Sequence, residues 1–236
     1  MERTTREIQH AAAVREMFSG IAPRYDLLNH VLSLNVDKRW RRRVRRRLTE
    51  TLKDPSAIVL DVACGTGDLS IELQRDSPVK VIGTDFCRPM LSIAAEKSSV
   101  IPFIEGDAMN LAFADDSIDA ITIAFGLRNL SNFGDGLSEL YRVLKPTGRL
   151  AILEFSTPVI PGFRFLFNFY FSQVLPRIGG AVSGSRGAYE YLPDSVSRFP
   201  DQKKLATLMA ATGFENPTYR NLTGGIAALH CATKTG

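Results

Sequence analysis

The stretch Val59-Leu60-Asp61-Val62-Ala63-Cys64-Gly65-Thr66-Gly67-Asp68-Leu69-Ser70 constrains the fold most, because an apolar run passes through a glycine turn directly into helix-start chemistry. Strand, tight turn and helix in that order form the ligand-facing corner of a parallel α/β unit. Gly65 and Gly67 remove the side chains that would keep a ligand off the backbone, and Thr66 or Asp68 is placed to cap the helix that follows. A second apolar run, Val79 to Gly83, leads to Asp85, where doubly wound folds set the strand-tip carboxylate that grips a ribose diol. A dinucleotide fingerprint would need a third glycine at Ser70, so the pyrophosphate reading weakens.

The rest of the chain agrees with a parallel sheet. Apolar segments at 58–63, 79–84, 102–105, 118–125 and 149–155 alternate with helical stretches after an N-terminal helical region over 1–52. The ending differs: 216–222, then Thr223-Gly224-Gly225, then 226–233 reads as two strands joined by a tight turn, which adds an antiparallel strand. The 236 residues suit one α/β domain. No run reaches the roughly 18 apolar residues that cross a bilayer, and Met1-Glu2-Arg3-Thr4-Thr5-Arg6 is no signal peptide, so a cytoplasmic protein is expected. Cys64, Cys87, Cys231 and the three histidines show no metal-ligand spacing, and no metal is expected.

Asp61, the two glycines, Asp85 and then Gly106-Asp107-Ala108 after a third apolar run resemble the S-adenosylmethionine-dependent methyltransferases. That resemblance implies a Rossmann-like class I fold: a seven-stranded, mostly parallel sheet with an antiparallel C-terminal strand, helices on both faces and a lid insertion over 157–199. It also implies that Asp61, Gly65, Thr66 and Gly67 hold the methionine part of the cofactor, that Asp85 binds the ribose, and that Asp107 and Ala108 meet the adenine. Three further segments narrow the family: Tyr25-Asp26-Leu27-Leu28-Asn29-His30-Val31-Leu32-Ser33 with Trp40, Phe125-Gly126-Leu127-Arg128-Asn129, and Arg142-Val143-Leu144-Lys145-Pro146-Thr147-Gly148-Arg149 with Glu154-Phe155-Ser156. With Tyr189-Glu190-Tyr191-Leu192-Pro193-Asp194-Ser195 and Phe199-Pro200, they closely resemble the ubiquinone/menaquinone biosynthesis C-methyltransferases, from about Phe18 to the C-terminus. The chain departs from that family's pattern at Leu28 (methionine), Asp37 (histidine), Thr147 (glycine or methionine) and Ala124 (often serine).

The activity so implied is C-methylation of a polyprenyl quinol, either demethylmenaquinol or a ubiquinone-pathway benzoquinol. A ring carbon attacks a sulfonium methyl more readily once a ring hydroxyl is ionised, so such a site must align the ring and stabilise its charge. Arg128 follows the fourth strand, at the carboxyl edge where open α/β sheets place ligands, and its fixed charge suits that second task. Asn129 and Tyr25 are candidates to orient a ring oxygen or a water; pairing of Arg128 with Asp26 or Glu154 is the structural alternative. His30 reads as a helix-surface histidine, and Glu154 as a structural residue, since a carboxylate beside a phenolate opposes ionisation.

Two further segments bear on partners. Phe163-Arg164-Phe165-Leu166-Phe167-Asn168-Phe169-Tyr170-Phe171 holds six aromatics in nine residues, which suits a lid over an apolar pocket or a lipid contact. Residues 38–47 carry eight positive charges and no acid, so a total of +4 leaves the rest of the chain net negative. Trp40, Val44 and Leu48 form a narrow apolar stripe among those arginines, the pattern of a helix lying on an anionic membrane, and peripheral attachment to the inner membrane face is expected. Nucleic-acid methylation is the competing use of such a helix, but the strand-four position reads Gly126-Leu127-Arg128-Asn129 rather than asparagine or aspartate, proline and an aromatic, so no nucleic acid is expected. A small-molecule O- or N-methyltransferase is the other alternative. The oligomeric state stays open, a homodimer included.

Overall fold

The computed structural model describes residues 4–33, 35–162, 165 and 186–236. The chain opens with helices: α1 (Thr5–Ile21), α2 (Tyr25–Leu32), α3 (Val36–Arg47) and the short α4 (Thr49–Leu52). There follow β1 (Ile58–Val62), α5 (Asp68–Gln74), β2 (Lys80–Asp85), α6 (Arg88–Lys97), β3 (Phe103–Glu105), β4 (Ile118–Ala124), α7 (Phe133–Val143) and β5 (Leu144–Phe155). Then come α8 (Arg186–Arg198), α9 (Gln202–Ala211), β6 (Phe214–Leu222) and β7 (Ala227–Lys234). Among the described residues the strands form one sheet of order β3-β2-β1-β4-β5-β7-β6. β7 runs antiparallel between β5 and β6, and the other pairings are parallel. The turn at its head is a 3-10 turn with positive φ at Thr223, Gly224 and Gly225, which lets β7 fold back inside β6.

The central strands read as continuous apolar runs because both of their faces are covered. On one face Leu137 and Leu140 of α7 and Leu205 and Met209 of α9 pack with Leu60, Ile121 and Ile152. On the other, Trp40, Val44, Leu48 and Leu52 pack with Leu69 and Leu73 of α5 against Val59, Val81 and Ala151.

This corrects one expectation from the sequence. Trp40, Val44 and Leu48 are 5%, 0% and 1% exposed, and each contributes about 1.5–3 kcal/mol in place, so the apolar stripe of α3 belongs to the core and not to a membrane. The outward face of α3 is arginine. A second correction concerns the helix after the glycine turn. Neither Thr66 nor Asp68 caps α5: Gly67 stands at the cap position with φ 80, and a Cβ there would come within 2.8 Å of the Phe103 ring. Asp68 instead accepts from Lys97 of α6 (2.9 Å) and Arg41 of α3 (3.0 Å), and Thr66 Oγ1 donates to Asp26 of α2 (2.5 Å). These bonds lash the N-terminal helices to the glycine turn.

Two of the departures from the family pattern, Thr147 and Asp37, have local surroundings that bear on them, while the side chain of Leu28 lies outside the described residues. Thr147 sits at φ 63, a left-handed conformation that favours glycine and strains a β-branched residue. Asp37 is buried, accepting from Ser33 (2.7 Å) and pairing with Arg41 (2.8 Å). The aromatic run of 163–171 lies outside the described residues apart from Phe165, which is 78% exposed; the side chain of His30 lies outside them as well.

Candidate active site

The chain leaves β1 and β4 through residues with positive φ, Ala63 (51°) and Phe125 (57°), so both strands break sharply at the same carboxyl edge. Between the two breaks a cleft opens. Gly65, Asp85, Asp107 and Ala108 form one side, Asn129 and Phe125 the other, and Ala11 and Phe18 of α1 with Tyr25 of α2 close over it. Ala124, where the family often has serine, also lines it.

Asp85 stands at the tip of β2 and is 6% exposed. Its Oδ2 accepts from the Gly65 N–H and its Oδ1 from the Cys87 N–H, both at 2.8 Å, and the Phe86 N–H also acts on it, so the carboxylate as a whole keeps capacity for a hydroxyl. Burial raises its pKa, and the backbone N–H bonds and the Arg15 charge oppose that rise. Gly65 has φ 55, and a Cβ there would stand 3.8 Å from the Tyr25 ring, between the turn and the cleft cover. Asp107 Oδ1 accepts from Met109 N–H (2.9 Å), which fixes the loop beyond β3.

Asp61, Thr66 and Gly67 are not on the cleft wall. Asp61 is 1% exposed behind the turn and accepts from Ser70 of α5 (2.6 Å) and Thr122 of β4 (2.7 Å), bolting three elements together. Desolvation pushes its pKa up to about 6 against those two hydroxyl bonds.

Arg128 does not line the cleft either. It is 8% exposed, its Nη1 donates to Glu154 Oε1 at 2.8 Å and to the Phe125 carbonyl, and its guanidinium lies 5.3 Å from the Phe155 ring centre. Its Nε is buried with no hydrogen-bond partner among the described residues. Of the two pairings weighed from the sequence, the structure forms the one with Glu154. Burial raises the Glu154 carboxyl, the Arg128 charge pulling the other way. Asn129 does reach the cleft: its Nδ2 donates to Phe125 O (3.3 Å), and its Oδ1 accepts from Tyr191 of α8 (3.2 Å). The two bonds fix the amide's polarity and leave one N–H without a partner among the described residues. Burial raises the Tyr25 and Tyr191 hydroxyls, and the Arg128 charge pulls both down, so all three side chains share one field. Sequence reasoning gave Tyr191 no role at the site; only its place in a family motif marked it.

The cleft's chemistry fits S-adenosylmethionine: a strand-tip acid keeps acceptor capacity for a hydroxyl, beside a turn whose side-chain-free Gly65 leaves the backbone open. Fold and cleft together define an S-adenosylmethionine-dependent methyltransferase. Solved structures agree on the fold. A SAM-dependent methyltransferase of Thermotoga maritima superposes with TM-score 0.62 at 18% identity, over 93% of this chain and 99% of that one. One from Aquifex aeolicus gives 0.57 at 20%, over 80% and 87%. Residues 5–234 match the ubiE/COQ5 methyltransferase family, and the chain belongs to it. It is 51% identical to the demethylmenaquinone methyltransferase of Deinococcus radiodurans over 94% of its length and 92% of that protein's. It is 45% identical to the ubiquinone/menaquinone biosynthesis C-methyltransferase UbiE of Geobacter sulfurreducens, over 94% and 88%.

Proposed function

We propose that this enzyme methylates a ring carbon of a polyprenyl quinol in quinone biosynthesis, with demethylmenaquinol its main acceptor. The observation that carries this reading is the near full-length identity to a demethylmenaquinone methyltransferase. The relative named for both quinones supports the ubiquinone-pathway benzoquinol as a second acceptor.

In this reading Asp85 and the Gly65 turn hold the cofactor, with Asp107 and Ala108 toward its adenine, while Asp61, Thr66 and Gly67 act by fixing the turn. Bound S-adenosylmethionine supplies an electrophilic sulfonium methyl. The chain's own residues must place the ring and steady the charge on its ionised oxygen. Asn129 offers its other N–H to that oxygen, and the Tyr25 hydroxyl, on the cleft cover, orients it from above. Arg128 lends its charge through this pair rather than by contact, and Glu154 and Tyr191 are the positioning residues that hold Arg128 and Asn129. The methyl would reach the ring carbon as its bond to sulfur breaks and a neutral thioether leaves, and the proton on that carbon would then pass to solvent as the ring regains aromaticity.

α1 and α2 serve as the cover on the substrate side, a role supported by Phe18 and Tyr25 at the cleft. The exposed arginines of α3 attach the protein peripherally to the anionic inner face of a membrane, from which a long-chain quinol is drawn. Among the described residues no helix is long and apolar enough to cross a membrane.

The test is product identity. With isotopically labelled S-adenosylmethionine and a short-chain demethylmenaquinol, the label should appear on a ring carbon by NMR. Label on a quinol oxygen, or transfer only to a non-quinone acceptor, would overturn the proposal.

A further inference from the structure

Arg43, Arg46 and Arg47 recur at i, i+3 and i+4 and so share one face of α3, beside the stripe that Val44 and Trp40 bury. Across from them Arg220 of β6 pairs in register with Leu229 of β7. These four arginines and Leu229 line a second cleft, on the outer strands and apart from the methyl-transfer cleft. A fifth arginine adjoins it, for Arg149 Nη1 donates to the Arg47 carbonyl at 3.3 Å. The arginine of α3 that has carboxylate partners among the described residues is Arg41, held by Asp37 and Asp68. Among the described residues Arg43, Arg46, Arg47 and Arg220 form no ion pair, and all four are exposed.

Like charges gathered on one cleft repel, and an anion that bridges them removes the repulsion. The guanidinium fork matches two oxygens at a time, which selects a tetrahedral phosphoryl group over a small monoanion. The exposed face of α3 continues the positive charge beyond the cleft through Arg42 and Arg39, which a flat anionic surface would cover. We propose that this cleft is a headgroup site that takes the phosphomonoester of an anionic phospholipid between Arg46 on α3 and Arg220 on the C-terminal hairpin. For the lipid source it rests on the membrane reading above.

The test compares two variants that each remove two exposed charges, Arg46→Gln with Arg220→Gln in the cleft, and Lys38→Gln with Arg42→Gln on the same helix outside it. Sedimentation with phosphatidate vesicles and with phosphatidylglycerol vesicles of matched surface charge reads the affinity, and calorimetry with inorganic phosphate reads the cleft alone. Diffuse attraction costs either variant up to about 30-fold on both lipids at low salt. The cleft variant should lose about tenfold more on phosphatidate only, and should lose phosphate binding that the parent and the flanking variant keep. Equal losses for the two variants on both lipids would overturn the headgroup site and leave the membrane reading standing. A parent that binds neither vesicle overturns the membrane reading and the lipid source together.

Discussion

Arg128 and the arginines of α3 carry the same group into opposite surroundings. Arg128 is almost wholly buried at the end of β4, bonded to Glu154, a backbone carbonyl and an aromatic face. Arg43, Arg46 and Arg47 stand exposed on one helix face with no carboxylate among the described residues. A buried guanidinium must have its charge balanced by the fold, so its influence is local and its loss is felt by the fold. An exposed one is screened by water and salt, so it contributes little to stability and acts on whatever approaches from outside.

The sharpest way to break this contrast is to remove Arg128. Arg128→Gln leaves the Glu154 carboxyl buried without its cation and should cost about 3–5 kcal/mol in urea unfolding. Adding Glu154→Gln should restore most of it. The Arg46→Gln and Arg220→Gln pair should stay within about 0.5 kcal/mol of the parent. An Arg128 variant as stable as the surface pair would show that burial makes no difference between the two sets.

Asp61 supplies a buried carboxyl with no ion pair among the described residues, held by the Ser70 and Thr122 hydroxyls and the Ser70 backbone N–H. Its pKa of about 6 lies above the ordinary carboxylate value, so the folded protein binds the extra proton. The stability this contributes is complete below about pH 4 and is lost as the pH rises through about 6, a difference of about 2–3 kcal/mol. Asp61→Asn should flatten that slope in thermal melts between those pH values. An unchanged slope would place the ionisation elsewhere.

Asp85→Ala should weaken S-adenosylmethionine by about 1.5–3 kcal/mol in calorimetry, the scale of lost charge-assisted hydrogen bonds. Unchanged affinity would remove Asp85 from the cofactor site. The smallest of these effects belongs to Tyr191. Tyr191→Phe frees the Asn129 amide on one side and should raise the barrier in kcat by about 0.5–1.5 kcal/mol, with cofactor affinity intact. A loss confined to cofactor binding would contradict its assignment as a positioning residue.

What the sequence made legible was local. The glycine turn, the acid at the tip of β2 and the antiparallel ending all depend on spacing along the chain, and they stand where that spacing puts them. Helical period identified the apolar stripe of Trp40, Val44 and Leu48 but carried no information on which surface it would meet; the sheet took it. Asp68 looked like a cap because Asp favours that position, yet Lys97 and Arg41 arrive from distant elements and hold it instead. Glu154 became the partner of Arg128 because β4 and β5 are neighbours in the sheet. The bond from Tyr191 to Asn129 spans 62 residues and the intervening connection, a contact that no local pattern encodes.

The separation of the two arginine sets is tested most directly by assaying one reaction on two forms of the acceptor, a short-chain soluble quinol and a long-chain quinol embedded in anionic vesicles. Arg128→Gln should lose turnover on both forms by the same factor, since its charge acts through Asn129 and Tyr25 whichever way the quinol is delivered. The variant with Arg46→Gln and Arg220→Gln should match the parent on the soluble quinol and lose rate only on the embedded one. Full activity of Arg128→Gln on the soluble quinol, or a cleft variant equally impaired on both forms, would contradict the account.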